Sequence, residues 1–199
     1  SGPIGWPVFG HGLGFDDLNQ DGRADLITPI GWFEQPLALS GDPPWTLHQA
    51  ALGGPPGGAQ MPAIDIDGDG DPDVVAARDA HGYGLAWFEQ VVVAGGLDFV
   101  EQPILHAGPA PRGGVQFSQL HALAAGDLDG DGLADLVTGK TWLAHNGSDP
   151  GALDPAVVVA MLLRRVHQQV EFVPVVIDDD SGIGRQLVLA DVDADGRLD

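Results

Sequence analysis

Short apolar stretches alternate with breaks rich in glycine, proline and aspartate along the whole chain. The apolar stretches are rich in valine, isoleucine and aromatic residues, which favour strands, and 30 glycines and 16 prolines leave little room for helices. The segment from Ala156 to Val170 would also tolerate a helix, but its run of valines favours a strand. The pattern therefore predicts an all-β protein of short strands and turns.

An acidic nine-residue segment recurs four times with one internal order. The copies, named loops one to four, span residues 17–25, 65–73, 127–135 and 191–199. Side chains that carry oxygen stand at positions 1, 3, 5 and 9, and glycine stands at position 6. Carboxylates on alternate residues can converge on one point, the glycine allows a sharp turn, and the carbonyl of position 7 can add an oxygen. The motif therefore predicts one calcium ion in each loop.

The predicted calcium ligands are the odd positions of the four loops. They are Asp17, Asn19, Asp21, Arg23 and Asp25; Asp65, Asp67, Asp69, Asp71 and Asp73; Asp127, Asp129, Asp131, Leu133 and Asp135; and Asp191, Asp193, Asp195, Arg197 and Asp199. Arg23, Leu133 and Arg197 would contribute only their carbonyl oxygens. Because each loop offers about six or seven protein oxygens, the shell is nearly closed, and the four ions are expected to be structural.

The spacing of the loops predicts a repeat architecture. They divide the chain into units of approximately 8–55, 56–115, 116–180 and 181–199, the last of them truncated. Four short strands in a unit of this length are typical of a β-propeller blade. We therefore expect four-stranded antiparallel blades with a calcium loop in each, and about three and a half blades in this chain.

The repeated motif resembles that of a known family. Asp-x-Asp-x-Asp-Gly-x-x-Asp followed by two aliphatic residues, as in Leu26-Ile27 and Val74-Val75, is similar to the FG-GAP/VCBS repeats of calcium-binding β-propellers. The resemblance implies that each metal loop joins the innermost strand of a blade to the next strand outward. A closed propeller of that family has about seven blades. The chain is therefore expected to be a fragment of a longer propeller, or one of several copies that complete a ring.

Charge and composition narrow the class of protein. The formal net charge is −21, with 29 acidic and 8 basic residues, so bound calcium would offset repulsion where it is densest and folding should depend on metal. No basic stripe is present to bind nucleic acid, and no apolar run reaches the ~18 residues of a membrane span. Cysteine is absent. Calcium loops saturate most easily where calcium is abundant, so a secreted or extracytoplasmic protein is expected.

Four of the seven histidines indicate a second site. His11 and His121 each stand six residues before the first aspartate of a loop, and His81 and His145 lie in glycine-flanked segments. Together the four imidazoles could hold one transition-metal ion such as Zn²⁺ or shuttle protons at the mouth of the propeller. Lys140 stands five residues after loop three and could bind an anionic oxygen. In the alternative interpretation these are solvated loop residues, and His48, His106 and His167 are surface residues in either case.

A second resemblance concerns the same residues. Gln119-Leu-His121, Val137-Thr-Gly-Lys140 and Ala144-His145-Asn-Gly-Ser-Asp149-Pro150 are similar to a subgroup that includes the propeller of aldos-2-ulose dehydratases. It implies metal-dependent elimination of water from a keto-sugar, with His121 and His145, and also His81 and His11, as ligands or bases and Lys140 as an electrophilic helper. The remaining blades and the cupin domains of those enzymes are absent, so catalysis is not expected of this chain alone.

Two functions follow from the sequence. The first is an extracellular calcium-dependent scaffold that binds a carbohydrate or a protein, and the second is a metal-dependent sugar lyase. The tryptophans could stack on sugar rings, although in apolar strands they more often form core. They are Trp6, Trp32, Trp45, Trp87 and Trp142. Self-association through unpaired blade edges is a third hypothesis. Convergence of the four histidines on one point would favour the lyase.

Overall fold

The computed structural model describes residues 10–54, 57–108, 114–167 and 169–199. Within these ranges the chain forms three four-stranded antiparallel sheets, and in each sheet the strands lie side by side in chain order. Sheet one holds β1 (Gly14–Asp16), β2 (Asp25–Thr28), β3 (Gly31–Glu34) and β4 (Thr46–Gln49). Sheet two holds β5 (Ala63–Ile64), β6 (Asp73–Ala77), β7 (Leu85–Val93) and β8 (Gly96–Leu105). Sheet three holds β9 (Leu123–Gly126), β10 (Asp135–Gly139), β11 (Val158–Val166) and β12 (Gln169–Asp178).

The all-β prediction is confirmed. The segment that would have tolerated a helix forms β11 and the start of β12, as its run of valines predicts. Between β10 and β11 the chain makes a short 3₁₀ turn at Ala144–Gly147, in which His145 and Asn146 have left-handed φ angles of +50° and +56°. Within the described residues, no helix has the length and the apolar content needed to span a bilayer.

The middle sheet is buried on both faces. Along β6, Val74 and Ala76 pack against sheet one, whereas Val75 and Ala77 pack against sheet three. Successive side chains of a strand point to opposite faces, so an unbroken apolar run fills the cores on both sides. β7 shows the same alternation, with Phe88 facing sheet one. Sheet two is therefore the centre of a three-sheet stack.

Two apolar cores separate the sheets. The core between sheets one and two contains Leu18, Ile27, Trp32, Leu52, Met61, Val74, Ala76, Ala86 and Phe88. The core between sheets two and three contains Ala59, Ile66, Val75, Ala77, Leu85, Trp87, Leu105, Phe117, Leu120, Leu123, Leu136, Val159, Met161 and Leu163. Each sheet is thus held to its neighbour by apolar burial.

The first strands of the three sheets lie on a common side of the stack. Leu13 and Gln60, just before β1 and β5, form a parallel bridge, and the Met61 N–H donates to the Leu13 carbonyl at 2.9 Å. A Cβ on Gly14 would lie 2.0 Å from the Met61 carbonyl oxygen, so this approach requires glycine. The side-chain oxygen of Gln60 accepts the N–H of Leu123, the first residue of β9, at 2.9 Å. Segments that precede the first strands are thereby brought together.

The tryptophans divide between core and surface. Trp32 and Trp87 are buried in the two cores, as expected for tryptophan in an apolar strand. Trp45 is half-buried in an apolar cavity on the outer face of sheet one, and Trp142 is 54% exposed. Trp6 lies outside the described residues. Trp142 is therefore the described tryptophan that is most available to a partner.

Candidate metal centres

The acidic loops occupy equivalent places in the sheets. Loops one, two and three join the first strand of a sheet to its second, and their last aspartates begin β2, β6 and β10. Asp25, for example, pairs with Asp16 across sheet one. In loop four, Ala190 and Asp199 exchange two backbone hydrogen bonds of 3.5 and 2.9 Å. Loop four therefore has the same register as the other three loops, and in the described range 169–199 no assigned strand directly precedes its first residues.

The loop backbone turns twice through the left-handed region. Position 6 has φ between +86° and +97° at Gly22, Gly70, Gly132 and Gly196. A Cβ added to any of these glycines would meet nothing within 4 Å, so the conformation, not a lack of space, requires glycine. Position 4 is also left-handed, even where it is not glycine, as at Ala194 with φ +63°. The two turns wrap the carboxylates around the interior of the loop.

Carboxylate oxygens converge in three of the loops. Three groups have ligand oxygens that all lie within 4.8 Å of one another. These groups are Asp65, Asp67 and Asp69; Asp127, Asp129 and Asp135; and Asp191, Asp193 and Asp199. In loop one the Asn19 amide instead donates to Asp21 at 3.1 Å. Oxygen ligands at such separations suit a hard divalent cation.

The ninth position of loops one, two and three also ties the loop to its sheet. Asp25, Asp73 and Asp135 are fully buried. In each of them one carboxylate oxygen accepts the N–H of position 2 of the loop, and the other accepts an N–H at or just after the third strand, at 2.8–3.2 Å. Burial raises the pKa of all three carboxyls, and that of Asp73 reaches about 7. Sequence analysis predicted position 9 only as a ligand and missed this second role.

Arginines contact the loop carboxylates. Arg164 donates to Asp129 at 2.5 Å and to Asp131 at 2.9 Å, both within its own sheet. Arg165 lies next to it on β11 and reaches across to loop two, where it donates to the carbonyls of Asp65 and Ile66. The two neighbouring guanidinium groups therefore bind two different loops.

Three of the predicted histidines converge at the common side of the stack. The ring centroids of His11, His81 and His121 lie 5.1–5.3 Å apart in an approximate equilateral triangle. Their nearest ring nitrogens lie within 4.8 Å of one another, and the Nε2 atoms of His11 and His81 are 3.2 Å apart. His11 precedes β1, His121 precedes β9, and His81 follows β6, so each sheet contributes one ring.

The protonation of two rings favours metal binding. His121 is buried, and its Nδ1 contacts the Gln119 carbonyl at 3.2 Å, so Nδ1 carries the proton and Nε2 carries the lone pair. This Nε2 is buried and finds no hydrogen-bond partner among the described residues. Burial, together with the neighbouring histidine His81, lowers the pKa of both His11 and His121. Neutral imidazoles are the form that binds metal.

The fourth predicted histidine belongs to an adjoining group. His145 stacks on His81 with a centroid distance of 4.3 Å, and its Nδ1 lies 2.9 Å from Oδ2 of Asp149. The same oxygen lies 3.4 Å from Nδ1 of His81 and accepts the Gln119 amide at 3.1 Å. Burial opposes ionisation of Asp149, but the hydrogen bonds from Gln119, His145 and His81 outweigh it and lower its pKa.

Lys140 reaches the cluster only through a neighbour. It is fully buried, and its Nζ donates to the side-chain oxygen of Gln119 at 2.8 Å. Burial lowers the pKa of this ammonium, and the negative charges of Asp154 and Asp149 partly oppose the decrease. Sequence analysis named Lys140 but gave no role to Gln119 or Asp149. The spacing of His145 and Asp149, four residues apart, was a signal that could have identified the carboxylate.

The remaining histidines lie elsewhere. His48 stacks on Trp32 at 4.1 Å and contacts Glu34 at 2.8 Å, while His106 and His167 are exposed.

The spacing of the nitrogens in the cluster suits a metal ion. A metal bound to imidazole at about 2.0–2.1 Å in tetrahedral geometry requires nitrogens about 3.3 Å apart, and the Nε2 atoms of His11 and His81 already have about this separation. The unpartnered Nε2 of His121 supplies a third donor, so the cluster fits a transition-metal ion.

The comparison with known families covers the centre of the chain. Residues 65–138, which run from the first aspartate of loop two into β10, match the family model of the FG-GAP-like repeat. No curated protein matches the chain. The matched segment contains loops two and three complete and also His81, His121 and Gln119. The similarity to the FG-GAP-like repeat therefore covers the central 74 residues of the chain.

Proposed function

We propose that the chain is part of a calcium-stabilised β-propeller and that its function is metal-assisted acid–base chemistry at the histidine cluster. The observation that carries this proposal is the convergence of His11, His81 and His121 from three sheets around a buried, unpartnered Nε2. The fitting substrate class is a small carbonyl compound rich in hydroxyl groups, and elimination of water from a keto-sugar is the reaction that the resemblance implies.

Calcium in the loops supports this site indirectly. The FG-GAP-like repeat, the left-handed turns at positions 4 and 6 and the converging carboxylates favour a calcium ion in each loop. These ions would lie after the C-terminal ends of the first strands, whereas His11 and His121 precede the N-terminal ends of β1 and β9 and His81 follows β6. Calcium is therefore a structural cation in this proposal, and the histidines supply the chemistry.

A bound transition metal explains the cluster better than a core packing role does. A buried ring nitrogen without a hydrogen bond costs about 1–3 kcal/mol. Packing three polar rings together at 5.1–5.3 Å would offer no compensation for that cost, whereas an ion ligated by all three offers it. Three protein ligands leave a coordination position open, as in catalytic zinc sites.

The residues around the triad suit acid–base work. A bound divalent ion would polarise a carbonyl oxygen and acidify the adjacent C–H bond. His145 is about half exposed, and because its Nδ1 contacts Asp149, its Nε2 is left free to take up or release a proton. The buried charge of Lys140 adds positive potential behind the cluster through Gln119.

Metal content tests the proposal. Chain stripped with EDTA and reloaded with excess calcium is titrated with Zn²⁺ or Co²⁺, and wild type should bind about one equivalent through the three imidazoles. His121→Ala should lose this equivalent but keep its calcium, while His106→Ala, at an exposed histidine, should keep both. If wild type binds no transition metal in calcium, or if both variants bind it equally, the proposal is wrong.

A calcium-dependent binding module is the second candidate function. Trp142 is 54% exposed, which suits stacking on a sugar ring or contact with an extracellular protein. In this case binding to a glycan or protein array should require calcium, should fail in Trp142→Ala and should persist in His121→Ala. The opposite pattern, with dependence on His121 alone, would favour the metal-assisted chemistry.

A further inference from the structure

We infer that Asp149 is the positioning residue of the histidine cluster: its carboxylate fixes the Nδ1–H tautomer of His81 and thereby directs the Nε2 lone pair towards the ion. The inference rests on the proposed function, because it assigns a role at the proposed metal site. Asp149 lies on the segment that follows the 3₁₀ turn, outside the sheets, and nothing in the loop motif marks it.

The donor and acceptor roles around Asp149 are unambiguous. An ionised carboxylate can only accept hydrogen bonds, so the groups that contact its Oδ2 must donate. These contacts are Nδ1 of His145 at 2.9 Å, the amide of Gln119 at 3.1 Å and Nδ1 of His81 at 3.4 Å. With its proton on Nδ1, His81 presents the lone pair of Nε2, the atom that lies 3.2 Å from Nε2 of His11.

Lys140 fixes the orientation of the bridging amide. An ammonium can only donate, so the side-chain oxygen of Gln119 must face Lys140, and the NH₂ group must face Asp149. The chain of hydrogen bonds therefore runs in one direction, from Lys140 through Gln119 to Asp149. Lys140 thus influences how the imidazoles are protonated, although it makes no hydrogen bond to any of them.

Gln119 also sets the tautomer of a second ring. Its backbone has φ +62°, a left-handed conformation that costs energy in a residue other than glycine. In this conformation its carbonyl contacts Nδ1 of His121 at 3.2 Å and accepts the N–H of Thr141 at 3.1 Å. One residue therefore orients His121 with its carbonyl, and it holds Asp149 with its side chain.

The acceptor that binds the second N–H of a metal-ligating histidine changes the metal affinity of the site. A carboxylate or carbonyl that accepts the second N–H of a metal-ligating histidine fixes the ring and raises its basicity, and removing it typically lowers metal affinity about 10–100-fold. Asp149→Ala removes the acceptor that His145, Gln119 and His81 share, because all three donors contact the same Oδ2. His81 can then adopt the opposite tautomer, in which its lone pair points away from His11 and His121.

Long-range ¹H–¹⁵N NMR of the imidazoles tests the inference without any metal. At about pH 8, where an unperturbed imidazole is neutral, His81 of the calcium-loaded wild type should show the Nδ1–H tautomer. Asp149→Ala should lose it, and its Zn²⁺ affinity should fall about 10–100-fold. Asp154→Ala is the matched control, because Asp154 accepts from the Tyr83 hydroxyl at 2.9 Å and makes no hydrogen bond to a histidine of the cluster. It should change neither readout.

The outcomes separate this inference from the proposed function. If wild type shows the expected tautomer, Asp149→Ala loses it and wild type binds no transition metal, the proposed function fails while the tautomer assignment to Asp149 stands. If wild type binds the ion and Asp149→Ala keeps both the tautomer and the affinity, the positioning role is wrong. Loss of a second equivalent of ion in Asp149→Ala would make Asp149 a ligand and would also overturn the role. Asp149→Leu, which also lacks an acceptor, repeats the test if the alanine variant does not fold.

Discussion

Asp135→Asn tests whether the ninth residue of a loop holds the sheet together as well as the loop. Asp135 begins β10 and is fully buried. Its Oδ2 accepts the N–H of Leu128 in loop three at 3.0 Å, and its Oδ1 accepts the N–H of Leu163 on β11 at 2.8 Å. Asparagine has nearly the same shape but only one acceptor oxygen, so one of these two N–H groups must lose its partner.

The expected loss of stability is about 2–3 kcal/mol in the absence of metal. A hydrogen bond to a charged group contributes about 1.5–3 kcal/mol, and the substitution removes one and makes the other neutral. It also turns an NH₂ group towards a buried N–H. Burial disfavours the charged form of Asp135 and raises its pKa. A neutral asparagine avoids this desolvation cost, so the net loss of stability is smaller than the sum of the two hydrogen-bond changes.

Urea unfolding with and without calcium provides the assay, and Asp131→Asn provides the control. Asp131 is exposed at position 5, so its substitution in EDTA should cost less than about 1 kcal/mol. Calcium at about a hundred times its dissociation constant should add about 2.7 kcal/mol for each loop that binds it, and Asp131→Asn should forfeit most of the contribution of loop three. If Asp135→Asn is as stable as wild type in EDTA, or if both variants lose equal amounts there, the assignment of a structural role to position 9 is refuted.

Three further predictions use the same folded chain. In EDTA, the folded chain binds the proton of Asp73 more tightly than the unfolded chain does, so this group should stabilise the fold below about pH 4 and lose its contribution as the pH rises through about 7. The melting temperature of wild type should therefore fall over this pH range, and that of Asp73→Asn should fall less. Arg165→Ala should lower the free energy of unfolding, measured with urea, by about 1–2 kcal/mol because two carbonyls of loop two lose a donor. Arg164→Ala should instead raise the calcium affinity of loop three, measured by calcium titration, because Arg164 competes for its carboxylates. Equal behaviour of the two variants in these assays would contradict both expectations. Gly14→Ala should cost about 1–3 kcal/mol in urea unfolding, because its Cβ would overlap a carbonyl of the neighbouring strand segment, whereas Gly184→Ala, with open space around it, should be nearly neutral.

The sheets and the loops could be predicted from the sequence because both depend on local patterns. Val74 to Ala77 read as an unbroken apolar run, and such a run is what a strand buried on both faces requires. The glycine at position 6 of each loop is required by a left-handed turn that is visible in the residue itself. The equivalent positions of His11 and His121 before their loops likewise follow from the repeat, and the structure brings these two rings together.

The support of the histidine cluster could not be predicted, because it depends on contacts between distant segments. His81 and Asp149 are 68 residues apart, and no periodicity connects them. Gln119 serves the site through a left-handed backbone that its residue type does not favour. The partner that fixes the tautomer of His81 is supplied only when sheets two and three are packed together.

Burial of the middle sheet on both faces makes this chain a linear array of coupled units. Among the described residues each apolar core joins a sheet only to its neighbour, so cooperativity carried by the cores passes along the array in one dimension, as in repeat proteins. Among the described residues, sheet two has another sheet packed on each face, whereas sheets one and three have another sheet on one face only, and the outer face of sheet three lies against the segment that contains Leu187, Leu189 and Leu198. Amide hydrogens of β6 and β7 should therefore exchange most slowly, and the array should fray from its ends towards its centre. The metal centre proposed here draws one ring from each unit, so fraying at either end would dismantle it before the central sheet opens.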